Sequence, residues 1–496
     1  MTVRVSGRPL TFADVIAVAR AGEPVALTDE ALETMQRTRA RVEELAEGEQ
    51  PVYGISTGFG ALAGTQIPPG QRSELQHALI RSHAAGMGDP VEPEVVRGMM
   101  LLRLRTLATG CCGVRPAVAR ALAALLNAGL VPAVPVHGSL GASGDLAPLA
   151  HVALCLIGEG ETLPPGLGPL RLEAKEGLSL VNGTDGMLAM LVLACEDARL
   201  LYRTADVTAA MSVEALLGTD RVFAADLQAL RPHPGQARSA ANLSRLMAGS
   251  GVVASHRHST HAVQDSYSMR CSPQVTGAAR DTLDFAKRIA ERELAASIDN
   301  PVVLPDGRVE SNGNFHGEPL AFACDFLAIA SAEVGAIAER RVDRLLDPHR
   351  SSGLPAFLAP EPGVNSGLML AQYTAAALVA GNRLLANPAS TDSVPTSGMQ
   401  EDHVSMGWSA AVKLRQVLAN LGRILAVELV CAARGLELRA PLHPAQATAA
   451  VRDLVHDHIG GAGPDRLVAS QLAEAAQLVQ SGAVVAAVER VLGPLQ

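Results

Sequence analysis

Pro319-Leu320-Ala321-Phe322-Ala323-Cys324-Asp325-Phe326-Leu327-Ala328-Ile329-Ala330 opens a run that continues to Leu346 with no further proline and a single glycine, Gly335. Phe322, Phe326, Ile329 and Ile337 recur at helical spacing, interleaved with Asp325, Glu333, Glu339 and Arg340. That pattern predicts one long helix that buries the first set and leaves the second polar. Working outward, Asp281 to Ser297 precedes it and Ser409 to Arg434 follows with the same periodicity. Upstream, Val95 to Leu107, Val118 to Ala128 and Gly186 to Leu201 read as helices punctuated by Gly or Pro. Thr28 is a candidate N-cap for a helix carrying Leu32, Met35, Val42 and Leu45 as far as Gly48. Strand-like material is limited to short pieces such as Val302 to Leu304 before an Asp306-Gly307 turn. The fold class expected is therefore all-α: an elongated long-helix bundle core with a loop-rich N-terminal part. No linker or fixed-period repeat divides the chain. One unit over 1–496 is expected, with an N-terminal part over approximately 1–200 and the bundle and C-terminal helices over 201–496.

Composition fits this. Hydrophobic residues make up 48% and charged residues 18% of 496, which supplies a large core and argues against extensive disorder. A formal net charge of -9 gives no basic footprint for nucleic acid. Aromatics at 3% favour close helix packing over a β-sandwich. Seven cysteines, none in a C-x-x-C pair, read as reduced and mostly buried thiols of a cytoplasmic protein. The N-terminus lacks the apolar run of a signal peptide. Leu368 to Val379, the longest apolar segment by this reading, is too short for a bilayer and is expected to be a core helix, so no membrane partner is expected. Large apolar helical faces need covering, which suits an oligomer.

The densest chemical signal is Val136-His137-Gly138-Ser139-Leu140-Gly141-Ala142-Ser143-Gly144-Asp145-Leu146-Ala147-Pro148. Its glycines allow backbone shapes denied to other residues. Asp145 can cap the helix that follows, and Pro148 is tolerable in its first turn. The plain interpretation is a loop leading into a helix. The chemical one is that the Gly144 nitrogen attacks the Ala142 carbonyl to close a five-membered ring. Loss of two waters, one carrying the former Ala142 carbonyl oxygen and one the Ser143 hydroxyl, then leaves Ser143 as an exocyclic methylene. The product, 4-methylidene-imidazole-5-one (MIO), is a strong electrophile requiring no external cofactor, and a helix N-terminus beside it favours developing negative charge.

In this Ala142-Ser143-Gly144 context the sequence resembles the aromatic amino-acid lyases and aminomutases. The resemblance covers nearly the whole chain. It includes Val52-Tyr53-Gly54-Ile55-Ser56-Thr57-Gly58-Phe59-Gly60, Arg81-Ser82-His83-Ala84-Ala85-Gly86 and Asn182-Gly183-Thr184. Further along are Gln264-Asp265-Ser266-Tyr267-Ser268-Met269-Arg270-Cys271, Ser311-Asn312-Gly313-Asn314-Phe315-His316-Gly317 and Met399-Gln400-Glu401-Asp402-His403-Val404-Ser405-Met406. Within the family, the full set looks like the branch that eliminates ammonia from L-histidine to give trans-urocanate, the first step of histidine degradation. The resemblance implies a carbon–nitrogen lyase, a homotetramer whose sites are shared between subunits, and no metal.

Residue by residue, it implies that Tyr53 removes the substrate β-proton, in a glycine-flanked loop suited to a lid. Alone, such a tyrosine reads as a packing residue. Free tyrosine titrates near about pH 10, so an alkaline optimum follows. Arg270 is implied to hold the substrate carboxylate through its guanidinium fork; without the resemblance, an ion pair with Asp265 or Asp281 is the simpler reading. Asn182 is implied to bind the amine or the ring carbonyl, against the alternative of an Asn-Gly turn. Gln264 and Tyr267 flank Arg270 and line the same pocket, Tyr267 counting with Tyr53 and Ser143 among the catalytic residues. Phe315 packs on the ring. His83 and Glu401 meet the imidazole, which needs polar partners where a phenylalanine pocket would leave them unpaired. Glu401 discriminates more strongly than His83.

The stretch His256-Arg257-His258-Ser259-Thr260-His261 could bind a metal but lacks accompanying acidic or cysteine ligands at matching spacing, and reads as a solvated loop. Alternatives to the histidine branch are a tyrosine or phenylalanine ammonia-lyase or a 2,3-aminomutase using the same electrophile. More distant are a fumarase-type helical lyase, whose Ser-rich loop has no match here, and a non-catalytic helical scaffold.

Overall fold

The computed structural model describes residues 2–48, 50–259 and 261–496. Helices dominate, and among the described residues the named strands form only three two-stranded pairs. Thr28 caps the helix Asp29–Glu47 as expected, its hydroxyl accepting the Ala31 amide at 3.3 Å. The short strands Val302–Val303 and Val309–Glu310 pair antiparallel around the Asp306-Gly307 turn, where Gly307 has φ +86°.

Contacts cluster into two compact units. One takes residues through Leu193, Ala286–Asp325 and Pro388–Val412. The other takes Ala194–Phe285, Phe326–Asn387 and Lys413–Gln496. Each unit thus interleaves sequence segments, whereas the sequence suggests a division near residue 200. The core of the first unit is built on Pro93–Ala108, whose residues from Met99 to Ala108 are all buried. Pro93 starts this helix and Pro116 starts Pro116–Asn127, where a missing N–H costs nothing. Gly98 lets Pro93–Ala108 approach the chain at Ala189: a Cβ there would lie 3.0 Å from the Ala189 Cβ. In the second unit, buried Glu428 accepts Thr208 and Ser212 hydroxyls at 2.8 Å each and pairs with buried Arg341. Asp206 likewise takes Arg280 at 2.6 Å and Asn242 at 2.9 Å. These charges are tolerated inside because each is paired and hydrogen-bonded.

Two expectations about burial are corrected. The helix Glu318–Leu346 forms, but Phe322, Phe326 and Ile329 are 41–46% exposed while Asp325 and Glu339 are buried. The inward face is instead Leu320, Ala323, Cys324, Leu327, Val334 and Ala338. That face mixes Leu and Val with the smaller Ala and Cys, and the aromatic stripe is left partly exposed in the single chain. Similarly, Met369–Leu385 is helical, yet only Ala371, Ala375 and Asn382 are buried, with Leu370 and Tyr373 more than half exposed. It is not a core helix. Three longer helical stretches, Glu176–Ala215, Glu318–Leu346 and Gly407–Glu437, are long and apolar enough to cross a membrane. Their most apolar windows are 100%, 56% and 78% buried in the protein. All seven cysteines are free thiols, five of them buried.

Candidate active site

The Gly-rich loop before Leu146–Leu156 is fixed by chain far away in sequence. Gly141, at φ +67°, offers its carbonyl to the Gly317 amide at 3.1 Å and the Ser405 hydroxyl at 2.8 Å. The Leu140 carbonyl accepts the Met406 amide at 2.8 Å. Gly144 is left-handed at φ +76°, and a Cβ there would lie 2.2 Å from the Gly183 carbonyl oxygen. Asp145 was expected to cap Leu146–Leu156. It occupies the N-cap position but makes no side-chain bond to that helix. Its Oδ2 instead accepts the Gly186 and Met187 amides, at 2.9 and 3.0 Å, capping the start of Asp185–Ala215. The Asp145 amide donates to the Gly183 carbonyl at 2.7 Å, which ties the loop to the start of that other helix. Oδ1 takes the Ser139 hydroxyl at 2.9 Å. Burial pushes the Asp145 carboxyl up to about 7, against the hydrogen bonds from Met187, Ser139 and Gly186 that favour the carboxylate.

This loop opens into a cavity of about 1070 Å³, entirely within the first unit. Six sequence segments bring Tyr53, His83, Ala142, Ser143, Asn182, Phe315 and Glu401 to its wall. The Ser143 hydroxyl donates to Glu401 Oε1 at 3.3 Å, and Glu401 Oε2 accepts the Thr396 hydroxyl at 3.1 Å. His83 is held below its ordinary pKa by burial, with the Leu79 carbonyl and the Glu401 charge pulling the other way. Its Nδ1 lies 3.1 Å from the Ser82 hydroxyl. The Tyr53 hydroxyl accepts the Gly60 amide at 3.3 Å. Asn182 donates from Nδ2 to the Asn300 carbonyl at 3.0 Å, and its buried Oδ1 has no hydrogen-bond partner.

Gln264, Tyr267 and Arg270 do not line this cavity. They form their own group in the second unit: Arg270 donates to Gln264 Oε1 at 2.7 Å and its guanidinium lies 4.7 Å from the Tyr267 ring centroid. Tyr267 is 71% exposed. The suggested ion-pair partners of Arg270 are engaged elsewhere, Asp265 with the Thr219 amide and Asp281 with the Gly235 amide.

The cavity also holds residues that the sequence reading did not single out, among them Asn300, Asn312, His316 and His403. The motifs containing Asn312, His316 and His403 were legible; nothing in sequence spacing said that these side chains face the same space. His316, Glu318 and His403 converge, with His403 Nδ1 3.4 Å from His316 Nε2 and Glu318 3.9 Å from His316 Nδ1. In the His256–His261 stretch, the His256 and His261 Nε2 atoms lie 3.0 and 3.1 Å from backbone carbonyls of Gly218 and Leu217, which occupies one ring nitrogen of each. Thr260 is outside the described residues.

Residues 10–457 match the model of the aromatic amino acid lyase family, and the chain belongs to that family. Among its relatives, it is 56% identical to the histidine ammonia-lyase of Streptomyces coelicolor over all of both chains. It is 58% identical to that of Streptomyces griseus, covering all of this chain and 99% of the other. Its structure is similar to that of histidine ammonia-lyase from Trypanosoma cruzi, at TM-score 0.90 and 40% identity over 99% of this chain and 95% of that one. Tyrosine aminomutase from Streptomyces globisporus matches at TM-score 0.93 and 38% identity over the full length of both chains.

Proposed function

We propose that the protein eliminates ammonia from L-histidine to give trans-urocanate, as a carbon–nitrogen lyase of histidine degradation acting in the cytoplasm. The observation that carries the proposal is the meeting of Ser143 with Glu401 at 3.3 Å, on a cavity wall that also holds His83. A serine between Ala142 and Gly144 thus faces a carboxylate and an imidazole, partners suited to a polar ring.

The tripeptide fits the group proposed for it. Gly144 has the left-handed backbone and the absence of space for a Cβ that a tight ring closure exploits, and Ser143 faces the cavity. Formed from Ala142-Ser143-Gly144, MIO supplies an electrophilic methylene to the substrate amine. The surrounding side chains bind and orient. Glu401 and His83 hydrogen-bond the two imidazole nitrogens, and Phe315 packs beside the loop. Asn182 presents its unpaired Oδ1, an acceptor, so it takes an N–H of the amine rather than the ring carbonyl. Tyr53, placed by the Gly60 amide, accepts the β-proton. The Arg270 fork binds the substrate carboxylate, with Gln264 and Tyr267 beside it. These three are grouped in the second unit, and in a homotetramer with shared sites that group serves the site of a neighbouring copy. The tyrosine and phenylalanine lyases and the 2,3-aminomutases are the competing activities, and a carboxylate at Glu401 disfavours their apolar or phenolic rings.

Intact-mass measurement with activity assays tests this. The wild-type chain should be lighter than its sequence mass by two waters and release urocanate from L-histidine in preference to tyrosine or phenylalanine. Ser143→Ala should keep its helices, lose the mass deficit and lose nearly all turnover. A wild-type mass equal to the sequence mass refutes the proposal.

A further inference from the structure

Behind the cavity wall lies a charge pair that none of the proposed chemistry uses. Lys175 and Asp299 are both 0% exposed, with Nζ 2.5 Å from Asp299 Oδ2. Lys175 has a left-handed backbone, φ +73°, at the start of Glu176–Val181. Ser179 closes the triangle: its hydroxyl lies 2.9 Å from Nζ and 2.8 Å from Asp299 Oδ2. Burying two charges is costly and seldom the most stable filling of a core, so a retained pair calls for a role.

The pair's connections lead to the cavity. Asp299 Oδ1 accepts the Asn300 amide at 2.9 Å, which sets the Asp299–Asn300 peptide. The next carbonyl, that of Asn300, accepts Asn182 Nδ2 at 3.0 Å. An asparagine can offer either end of its amide; with a carbonyl opposite Nδ2, the oxygen must point the other way. That oxygen is the buried, unpartnered Oδ1 of a residue that lines the cavity. Arg103 braces the same two segments, donating to the Asn182 carbonyl and the Ile298 carbonyl at 2.9 Å each. The end of Glu176–Val181 and the 298–300 strip are therefore cross-linked by buried cations.

We propose that the Lys175–Asp299 pair is a positioning device for Asn182: it fixes the Asn300 carbonyl and thereby presents Asn182 Oδ1 to the substrate amino group. This rests on the assignment of Asn182 given above. Lys175 and Asp299 touch no substrate and act only through the asparagine.

The test compares two ligands that differ only by the amino group, in the full-length mature enzyme: KM and kcat for L-histidine, and the competitive Ki of 3-(imidazol-4-yl)propanoate. Asn182→Ala should raise KM for histidine about tenfold, the size of one lost hydrogen bond to a charged or strongly polar donor, and leave the propanoate Ki unchanged. Lys175→Met should do the same. Ser179→Ala, which loosens the triangle without unpairing a charge, should raise KM by a smaller factor with the same selectivity and keeps the test alive if Lys175→Met does not fold. The Lys175→Met/Asn182→Ala double variant should lose no more than Asn182→Ala alone. If Asn182→Ala fails to discriminate the two ligands, the assignment of Asn182 falls. If it discriminates but the Lys175 and Ser179 variants affect both ligands alike, or neither, the positioning role is overturned and the asparagine assignment stands.

Discussion

Replacing Gly144 by alanine is the sharpest probe of the loop. At φ +76° an L-residue with a Cβ costs about 1–2 kcal/mol. The new Cβ would also fall 2.2 Å from the Gly183 oxygen and 2.4 Å from its carbonyl carbon, both backbone atoms. Neither can swing aside, so overpacking adds about 1–3 kcal/mol. Pushing Gly183 away strains the 2.7 Å bond from the Asp145 amide, worth about 1 kcal/mol more. The expected total, about 3–6 kcal/mol, is a large share of a domain's usual stability. Denaturant midpoints read it, best in the Ser143→Ala background so that both proteins carry an unmodified loop. Gly129 is the control: its φ is +70° but a Cβ there meets nothing within 4 Å, so Gly129→Ala should cost only the conformational part, about 1–2 kcal/mol. Equal losses at the two positions would refute the steric argument. In the Ser143 chain, Gly144→Ala should also abolish the two-water deficit.

Glu401→Gln should lower kcat/KM for L-histidine about 10- to 100-fold, the cost of a charge-assisted bond, with a smaller effect on any phenylalanine turnover; parallel losses on both substrates would remove Glu401 as the discriminator. Asp145 gives a pH signature. Its folded pKa of about 7 lies above the ordinary 3.8, so the folded state holds a proton that the unfolded state has released across that interval. Stability from this group therefore falls as pH rises from about 4 to 7, by at most ~4 kcal/mol. Asp145→Asn in the Ser143→Ala background should flatten that slope, its oxygen keeping the Gly186 and Met187 amides; pH-stability curves that stay parallel would contradict the effect of burial. Phe326→Arg, placed in the exposed stripe of Glu318–Leu346, should yield smaller assemblies by light scattering with unchanged helical content. An unaltered particle mass would exclude that stripe from the interface.

Much of the architecture was legible because helical periodicity is local. Thr28 and the apolar residues behind it declare Asp29–Glu47 without reference to anything else. The segments carrying Tyr53, His83, Ser143, Asn182, Phe315 and Glu401 could be picked out, and all six residues reach one cavity. What the sequence concealed depends on partners. Phe322 and Phe326 recur at the spacing of a buried stripe, but which face of a helix goes inward is decided by the surfaces available, and here the face of Leu320, Ala323, Leu327 and Val334 wins. Asp145 precedes a helix and is spaced to cap it, but a second helix start, reached through the Gly183 backbone, takes its carboxylate. Lys175 looks like an ordinary surface lysine; its partner is 124 positions away, and no periodicity links the two. Arg270 illustrates the same limit, since neighbours in sequence suggested an ion pair and the fold supplied an amide and an aromatic ring.

The clamps on Gly141 and Leu140 bear on when the enzyme becomes active during its synthesis. Ser405 and Met406 reach the loop from more than 260 positions downstream, after two segments of the second unit, Ala194–Phe285 and Phe326–Asn387, have intervened in the sequence. A ribosome must release most of the polypeptide before those contacts exist. Nascent or truncated chains ending before residue 400 would lack both clamps on the loop that carries Ala142-Ser143-Gly144, so under the proposed reading ring closure should wait until the chamber that shields the loop has been assembled.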